Sequence, residues 1–327
     1  MLLRAQGLID NARRPDPCAV EESLLNYPQV HSEIVAYGPF ALRWYGLAYL
    51  AGFVCAWWFG VRRARQLAGW DGQGVADLIF YAAMGVIVGG RLGYVLFYGL
   101  ETALRDPLWI FKIWSGGMSF HGGMLGVIAA LWLFARQTGR RWFEVTDFAA
   151  PLVPPGLLFG RLGNFVNTEL PGRVTDVPWG LHYPCWAVQA LNDQCGAGFE
   201  AVARHPSPLY QSGLEGIVLG AILWLFVARP RPLGSVSGLF LLVYGLLRLI
   251  SEQFRQPDAG LGFALAGVIT RGQLLSAPMV LGGIGLMLWG FFREQPPARI
   301  LAAEVAVAGD AGAAGRTARG ATSKRRR

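Results

Sequence analysis

Apolar residues arrive in this chain in blocks of about 20, and that block length constrains the fold more than any other feature. A helix rises about 1.5 Å per residue, so one block is long enough to cross the hydrocarbon core of a bilayer. Seven such blocks occur, at about 44–60, 75–98, 118–135, 143–166, 209–227, 236–254 and 274–292. Only 15% of the 327 residues are charged, whereas soluble chains carry about 25%. The pattern predicts an all-α polytopic membrane protein with seven transmembrane helices.

Loop charge sets an expected orientation. Arg62, Arg63 and Arg65 follow the first block, Arg136, Arg140 and Arg141 the third, and Arg229 and Arg231 the fifth. Arg293, Arg299 and the terminal Lys324, Arg325, Arg326 and Arg327 follow the seventh. The alternate loops hold fewer: Arg105 and Lys112, then Arg173 and Arg204, then Arg255 and Arg271. Positively charged loops stay in the cytoplasm, so the N-terminus is expected outside and the C-terminus inside. An odd number of spans requires that split. The domain plan is then an N-terminal extension over 1–31, a membrane domain over 32–295 with a small periplasmic cap at 168–207, and a disordered basic tail over 296–327.

The formal net charge is +8, from 29 Lys and Arg against 21 Asp and Glu. Much of it lies from Arg299 onward, where seven basic residues face two acids. On a membrane protein such a tail marks the cytoplasmic end, so nucleic acid is not an expected partner. The first 26 residues lack the apolar run of a cleavable signal peptide. Among the four cysteines there is no CxxC and no zinc spacing. Cys55 falls inside a span, while Cys185 and Cys195 share the long outer loop and could pair there.

The chemistry is expected where polar residues interrupt the apolar blocks. With the orientation above, Arg91, His121, Arg161 with Asn164, and Arg248 with Glu252 all fall toward the outer ends of four different spans. Ionisable groups at such depth are costly and face a cavity, a partner or a ligand. Part of the cluster can be accounted for by helix gluing. Arg248 and Glu252 are spaced i, i+4, and Arg161 could pair with Glu169 beyond its helix end. Three arginines with too few acids still call for an anion, and guanidinium suits phosphate because its planar fork donates two parallel hydrogen bonds. Gly89, Gly90, Gly116, Gly117, Gly122, Gly123, Gly160, Gly163 and Gly172 flank these residues. They fit either close helix packing or close approach of a ligand. Pro151, Pro154 and Pro155 should bend the fourth span.

The same residues carry a family resemblance. Leu42-Arg43-Trp44-Tyr45-Gly46, Gly89-Gly90-Arg91-Leu92-Gly93-Tyr94, and Gly116-Gly117-Met118-Ser119-Phe120-His121-Gly122-Gly123 come first. The run 160–173 (GRLGNFVNTELPGR), His205-Pro206-Ser207-Pro208-Leu209-Tyr210, and Tyr244-Gly245 through Arg248, Glu252 and Arg255-Gln256-Pro257-Asp258 follow in order. Over about 34–293 the chain closely resembles the bacterial prolipoprotein diacylglyceryl transferases. The resemblance implies a seven-span transferase of the inner membrane, with its active site toward the periplasm. It implies transfer of the diacylglyceryl group of phosphatidylglycerol to the lipobox cysteine thiol of a preprolipoprotein signal peptide, with release of glycerol phosphate and no cofactor. By motif, Arg161 resembles the main phosphatidylglycerol-binding residue and Arg248 the second essential arginine. His121, Tyr45, Asn164, Glu169 and Gly172 resemble the remaining functional set. Two positions depart from the family pattern: Pro171, where an aromatic residue is common, and Gln211, where Glu is common.

A mechanism follows as expectation. Free cysteine has a pKa of about 8.5, so a base helps form the thiolate. His121 is the one histidine inside the spans and an imidazole titrates near neutrality; the competing reading has it hydrogen-bond a helix end. Arg161 and Arg248 would stabilise charge on the departing phosphate. Asn164 and Tyr45 would orient the glycerol head, with Tyr244 and Gly172 also expected among the substrate-binding residues. Glu169 and Glu252 would hold the arginines, and Arg91 would add to the clamp or bridge helices. The alternative is an anionic-lipid or anion transporter using the same arginines.

Overall fold

The computed structural model describes residues 25–28, 33–37, 40–67, 69–112, 116–183, 203–256, 263–265 and 269–293. Helices form the body. A short antiparallel hairpin, β1 (Glu33–Tyr37) and β2 (Phe40–Arg43), feeds α1 (Trp44–Ala64). Next come α2 (Gly72–Tyr98), α3 (Leu100–Arg105), a 3-10 turn at Pro107–Phe111, and α4 (Phe120–Gln137). Then follow α5 (Trp142–Ala149), α6 (Val153–Val166) and α7 (Ser207–Val227). α8 (Ser235–Ser251), a second small hairpin of β3 (Phe263–Leu265) and β4 (Ile269–Thr270), and α9 (Arg271–Phe292) complete the order.

Helix starts are written in the sequence. Asp71 accepts a hydrogen bond from Gly74 N (2.8 Å) at the head of α2, and Ser119 accepts one from Gly122 N (3.2 Å) at the head of α4. Thr270 and Gln273 form a reciprocal capping box on α9.

Among the described residues, four helices are long and apolar enough to cross a membrane: Trp44–Ala64, Gly72–Tyr98, Ser207–Val227 and Gly272–Phe292. α4, at 18 residues, is not among them, and α8 is apolar but only 17 residues long. The block at 143–166, expected as one bent span, is instead two helices separated by a turn at Ala150–Leu152. Pro154 and Pro155 lie in the first turn of α6, where a missing N–H leaves nothing unpaired. The backbone stays right-handed helical at Ala149, Ala150, Leu152 and Val153, so the interruption falls where the prolines are expected to bend the span. Large apolar side chains face outward along the helices, including Phe80, Leu96, Leu225 and Phe292. Such a belt is what a lipid environment accommodates.

Helices pack as antiparallel pairs. α2 and α4 meet through Gly85, Gly89, Gly93, Gly122 and Gly126; a Cβ on Gly85 would stand 2.6 Å from the Gly126 carbonyl oxygen. Without side chains in the seam the backbones approach closely, as lipid-embedded helices require for van der Waals contact. α1 runs antiparallel to α6, with Gly52 against Gly156 and Tyr45 against Gly163. α6 in turn lies against α7, with Leu158 at Gly216 and Pro154 at Gly220. α8 and α9 form the last pair.

These pairings give the bundle two distinct ends. One gathers Arg63, Asp147 and Gly234, where Asp147 accepts hydrogen bonds from Gly234 N (2.7 Å) and Ser237 N (2.8 Å). Beside it, Trp70 stacks on Phe148 within a core of Val75, Leu78, Phe134 and Val145. The other end gathers Tyr45, Gly163, Arg248 and the loop after α6. Described parts of the predicted cap, 168–183 and 203–207, are stitched by single bridges: Gly172 with Arg255, and both Val174 and Leu181 with Arg204. Tyr27, Leu181 and Tyr183 pack with Phe165 beneath them. Cys185, Cys195, the extension up to residue 24 and the tail from 294 lie outside the described residues.

Candidate active site

The site is built where α6, α7 and α8 meet. Arg161 comes from the last turns of α6, Arg248 from α8, and between them stands Glu215 of α7. Glu215 Oε2 lies 3.6 Å from Arg161 Nη2, and Oε1 lies 3.4 Å from Arg248 Nη1. Ser251 Oγ donates to Glu215 Oε1 at 3.0 Å. Glu215 is fully buried and sits in a π-helical stretch, Ser212–Val218. π-turns within α-helices recur at functional sites because they re-aim side chains.

A second carboxylate extends the network. Glu252 Oε2 lies 2.9 Å from Arg248 Nη2, and Oε1 lies 3.7 Å from Arg255 Nη1. Glu215 thus bridges Arg161 and Arg248, and Glu252 bridges Arg248 and Arg255. Arg161 carries most of the opportunity. Among the described residues it makes no hydrogen bond, and its single ionic partner stands 3.6 Å away. Its side chain is 22% exposed, so the fork is reachable. Tyr244 lies within electrostatic reach of Glu215, Arg248, Arg161 and Glu252.

Asn164 and Glu169 lie just beyond Arg161. Asn164 Nδ2 donates to Glu169 Oε2 (2.6 Å) and Asn167 Nδ2 to Oε1 (3.3 Å). Glu169 was expected to hold Arg161; the amides hold it instead, and Glu215 takes the arginine. Thr168 and Leu170, on either side of Glu169, both adopt left-handed backbone (φ 56° and 58°). Non-glycine residues resist that region, and such strain persists where the surroundings over-determine it. Tyr45 packs on Gly163, hydrogen-bonds Tyr49 (3.0 Å between hydroxyls), and lies within electrostatic reach of Glu169 and Arg161.

Gly172 floors the loop. Its N–H donates to His205 O (2.9 Å) and its carbonyl accepts from Arg204 Nη1 (3.1 Å). A Cβ there would collide with the His205 carbonyl and stand 2.6 Å from that of Phe254. His205 is pushed below the ordinary imidazole pKa by burial, and its Nδ1 meets the Tyr210 hydroxyl at 3.1 Å.

Two expected members sit apart. Arg91 is buried between α2 and the strand of chain before α4. Its Nε donates to Ile110 O (2.9 Å), Nη1 to Gly116 O (2.6 Å) and Gly117 O (3.3 Å), and Nη2 to Trp109 O (2.6 Å). It lies over the Trp109 ring as well. Those four carbonyls occupy most of its donors. His121, in the first turn of α4, is exposed beside Phe120 and makes no hydrogen bond or ion pair among the described residues. α4 packs chiefly on α2, which keeps the imidazole off the Glu215 network.

A family model for prolipoprotein diacylglyceryl transferase matches residues 32–289. The chain belongs to that family. A phosphatidylglycerol–prolipoprotein diacylglyceryl transferase of Chromohalobacter salexigens is 53% identical over 273 residues, 84% of this chain and 96% of the relative. Relatives of the same name from Pseudoalteromonas atlantica and Azotobacter vinelandii are 52% and 51% identical, covering 84% and 83% of this chain and 94% and 98% of theirs.

Within this diacylglyceryl transferase the residue that sequence reasoning missed is Glu215. Its signal was present: a carboxylate inside an otherwise apolar block. Gln211, one turn earlier on the same helix, is also fully buried, and neither amide atom has a hydrogen-bond partner among the described residues. No three His, Cys, Asp or Glu side chains among the described residues converge to hold a metal ion.

Proposed function

We propose that this protein transfers the diacylglyceryl group of phosphatidylglycerol to the lipobox cysteine thiol of preprolipoproteins. The observation that carries the reading is the Arg161 fork, without a hydrogen bond among the described residues and backed by a buried carboxylate that it shares with Arg248. A phosphodiester is an anion with two free oxygens, which the planar fork of Arg161 suits.

In the reaction the cysteine sulfur attacks the glycerol carbon that bears the phosphate. A carbon–sulfur bond forms, the carbon–oxygen bond breaks, and the electron pair leaves on the oxygen of glycerol phosphate. The thiol proton passes to a base; His121 keeps that role only toward the incoming peptide thiol, since its exposed imidazole stands apart from the Glu215 network. Arg161 binds the phosphate oxygens and stabilises the departing charge. Arg248 bridges Glu215 and Glu252 and offsets part of their charge. Asn164 and Tyr45 orient the lipid head, Tyr244 lines the pocket, and Glu169 presents its carboxylate to the glycerol hydroxyls. Gly172 holds the mouth open by admitting no side chain. Arg91 is assigned to binding the carbonyls of Trp109, Ile110, Gly116 and Gly117.

The same reading places the protein in the inner membrane in seven crossings, α5 with α6 making the fourth. The Arg161 end then faces the periplasm and the C-terminus the cytoplasm, consistent with the loop charges. Labelled phosphatidylglycerol incubated with a lipobox peptide and the purified protein tests the proposal by thin-layer separation. A lipidated peptide is the expected product, dependent on the peptide thiol; its absence would overturn the reading, and transport without covalent product would favour an anion or lipid carrier.

A further inference from the structure

The end of the bundle opposite Arg161 holds a second basic cavity. It encloses about 40 Å³, bounded by Arg63 at the end of α1, Asp147 on α5, and Arg229, Pro230 and Arg231 between α7 and α8. That volume takes about three waters, or the oxygens of one tetrahedral oxyanion.

Three guanidinium groups line this cavity against one carboxylate. The carboxylate is already committed: Asp147 Oδ2 accepts from Gly234 N (2.7 Å), and Oδ1 from Ser237 N (2.8 Å) and Ser237 Oγ (2.6 Å). Arg63 spends a donor on the Asp147 backbone carbonyl (3.3 Å). Arg231 is oriented without being consumed: Nε donates to Phe226 O (2.7 Å) and the guanidinium lies 4.1 Å over the Phe226 ring. Its two terminal nitrogens have no partner among the described residues. Arg229 makes no hydrogen bond or ion pair there either. An orientation held by the backbone and a ring, with the fork left open, is the arrangement that recognises phosphate bidentately.

We propose that this cavity binds a phosphate group through Arg229 and Arg231, independently of the transferase site. The ligand chemistry is a terminal phosphate, carried either by free phosphate or by the head group of an anionic lipid on that face.

Isothermal titration with inorganic phosphate tests it, at constant ionic strength set by chloride. The Arg161→Gln protein is titrated so that the opposite site does not compete, and is compared with the same protein carrying Arg229→Gln and Arg231→Gln. Loss of two charge-assisted contacts should weaken phosphate binding at least about tenfold. Arg229→Lys with Arg231→Lys, which keeps charge without the fork, should retain part of it. Phosphatidic acid in mixed micelles distinguishes the sources: competition with phosphate marks a lipid head group, and its failure to compete marks free phosphate. No phosphate-specific heat in the parent, or equal binding by parent and Gln variants, would overturn the proposal. Transferase assays on Arg229→Gln/Arg231→Gln in the otherwise native chain confirm a folded protein.

Discussion

Arg161 and Arg248 lie on opposite sides of one buried carboxylate, 3.6 Å and 3.4 Å from the two oxygens of Glu215. The two arginines belong to helices that are remote in sequence, and Glu215 belongs to a third. One acid therefore sets the spacing of both cations.

Arg161→Gln should lower transfer by about 100- to 1000-fold, the usual loss when one preorganised donor to a developing oxyanion is removed. Membrane insertion should stay near the parent value, and the melting temperature should fall less than in Glu215→Gln, because Glu215 keeps Arg248 and Ser251 as partners. The check is the lipidation assay run beside a melting curve; a variant with native transfer would remove Arg161 from the chemistry.

Glu215→Gln has a different signature. Removing one partner of a buried ion pair costs about 3–5 kcal/mol because the remaining charge is left uncompensated. Here two guanidiniums lose their anchor at once. The variant should melt well below the parent as well as lose activity, while Glu215→Asp recovers part of both. A Glu215→Gln protein with parental stability would contradict the network.

Helix packing makes a steric prediction. A Cβ on Gly89 would lie 2.7 Å from Gly126 Cα, so Gly89→Val must push α4 off α2. Over-packing of this kind costs about 1–3 kcal/mol. Gly285 of α9 has open space around its Cα, so Gly285→Ala should be neutral or stabilising. Paired thermal melts in one detergent separate the two outcomes.

A pH prediction follows from His205, whose pKa is lowered by burial. As pH falls through about 6.5 the unfolded imidazole takes a proton before the folded one does. Stability is therefore lost from that point downward, levelling off below the folded pKa. The ring is only partly buried, so the effect should be local: faster hydrogen exchange at Gly172, Arg173, Leu181 and Arg204 at pH 5 than at pH 7.5, after correction for intrinsic rates. His205→Asn should flatten the difference.

The positions of the helices were legible in the sequence because hydropathy is a local property. So were the i, i+4 pair of Arg248 and Glu252 and the caps at Asp71 and Thr270, since each partner lies within one helical turn. Partner choice across helices was not. Glu169 sits eight residues beyond Arg161 and looks like its counter-ion, yet Asn164 and Asn167 bind it, because the left-handed turn at Thr168 and Leu170 brings the carboxylate back onto the amides. Arg91 shares its depth with Arg161 on paper, but the carbonyls of Trp109, Ile110, Gly116 and Gly117 surround it. Sequence determined which charges enter the apolar bundle and near which helix ends. Only tertiary structure decided which of them meet, because a buried charge takes whichever partner the neighbouring helix brings within a few ångströms, and helix adjacency is set by glycine seams and packing far from the charges themselves.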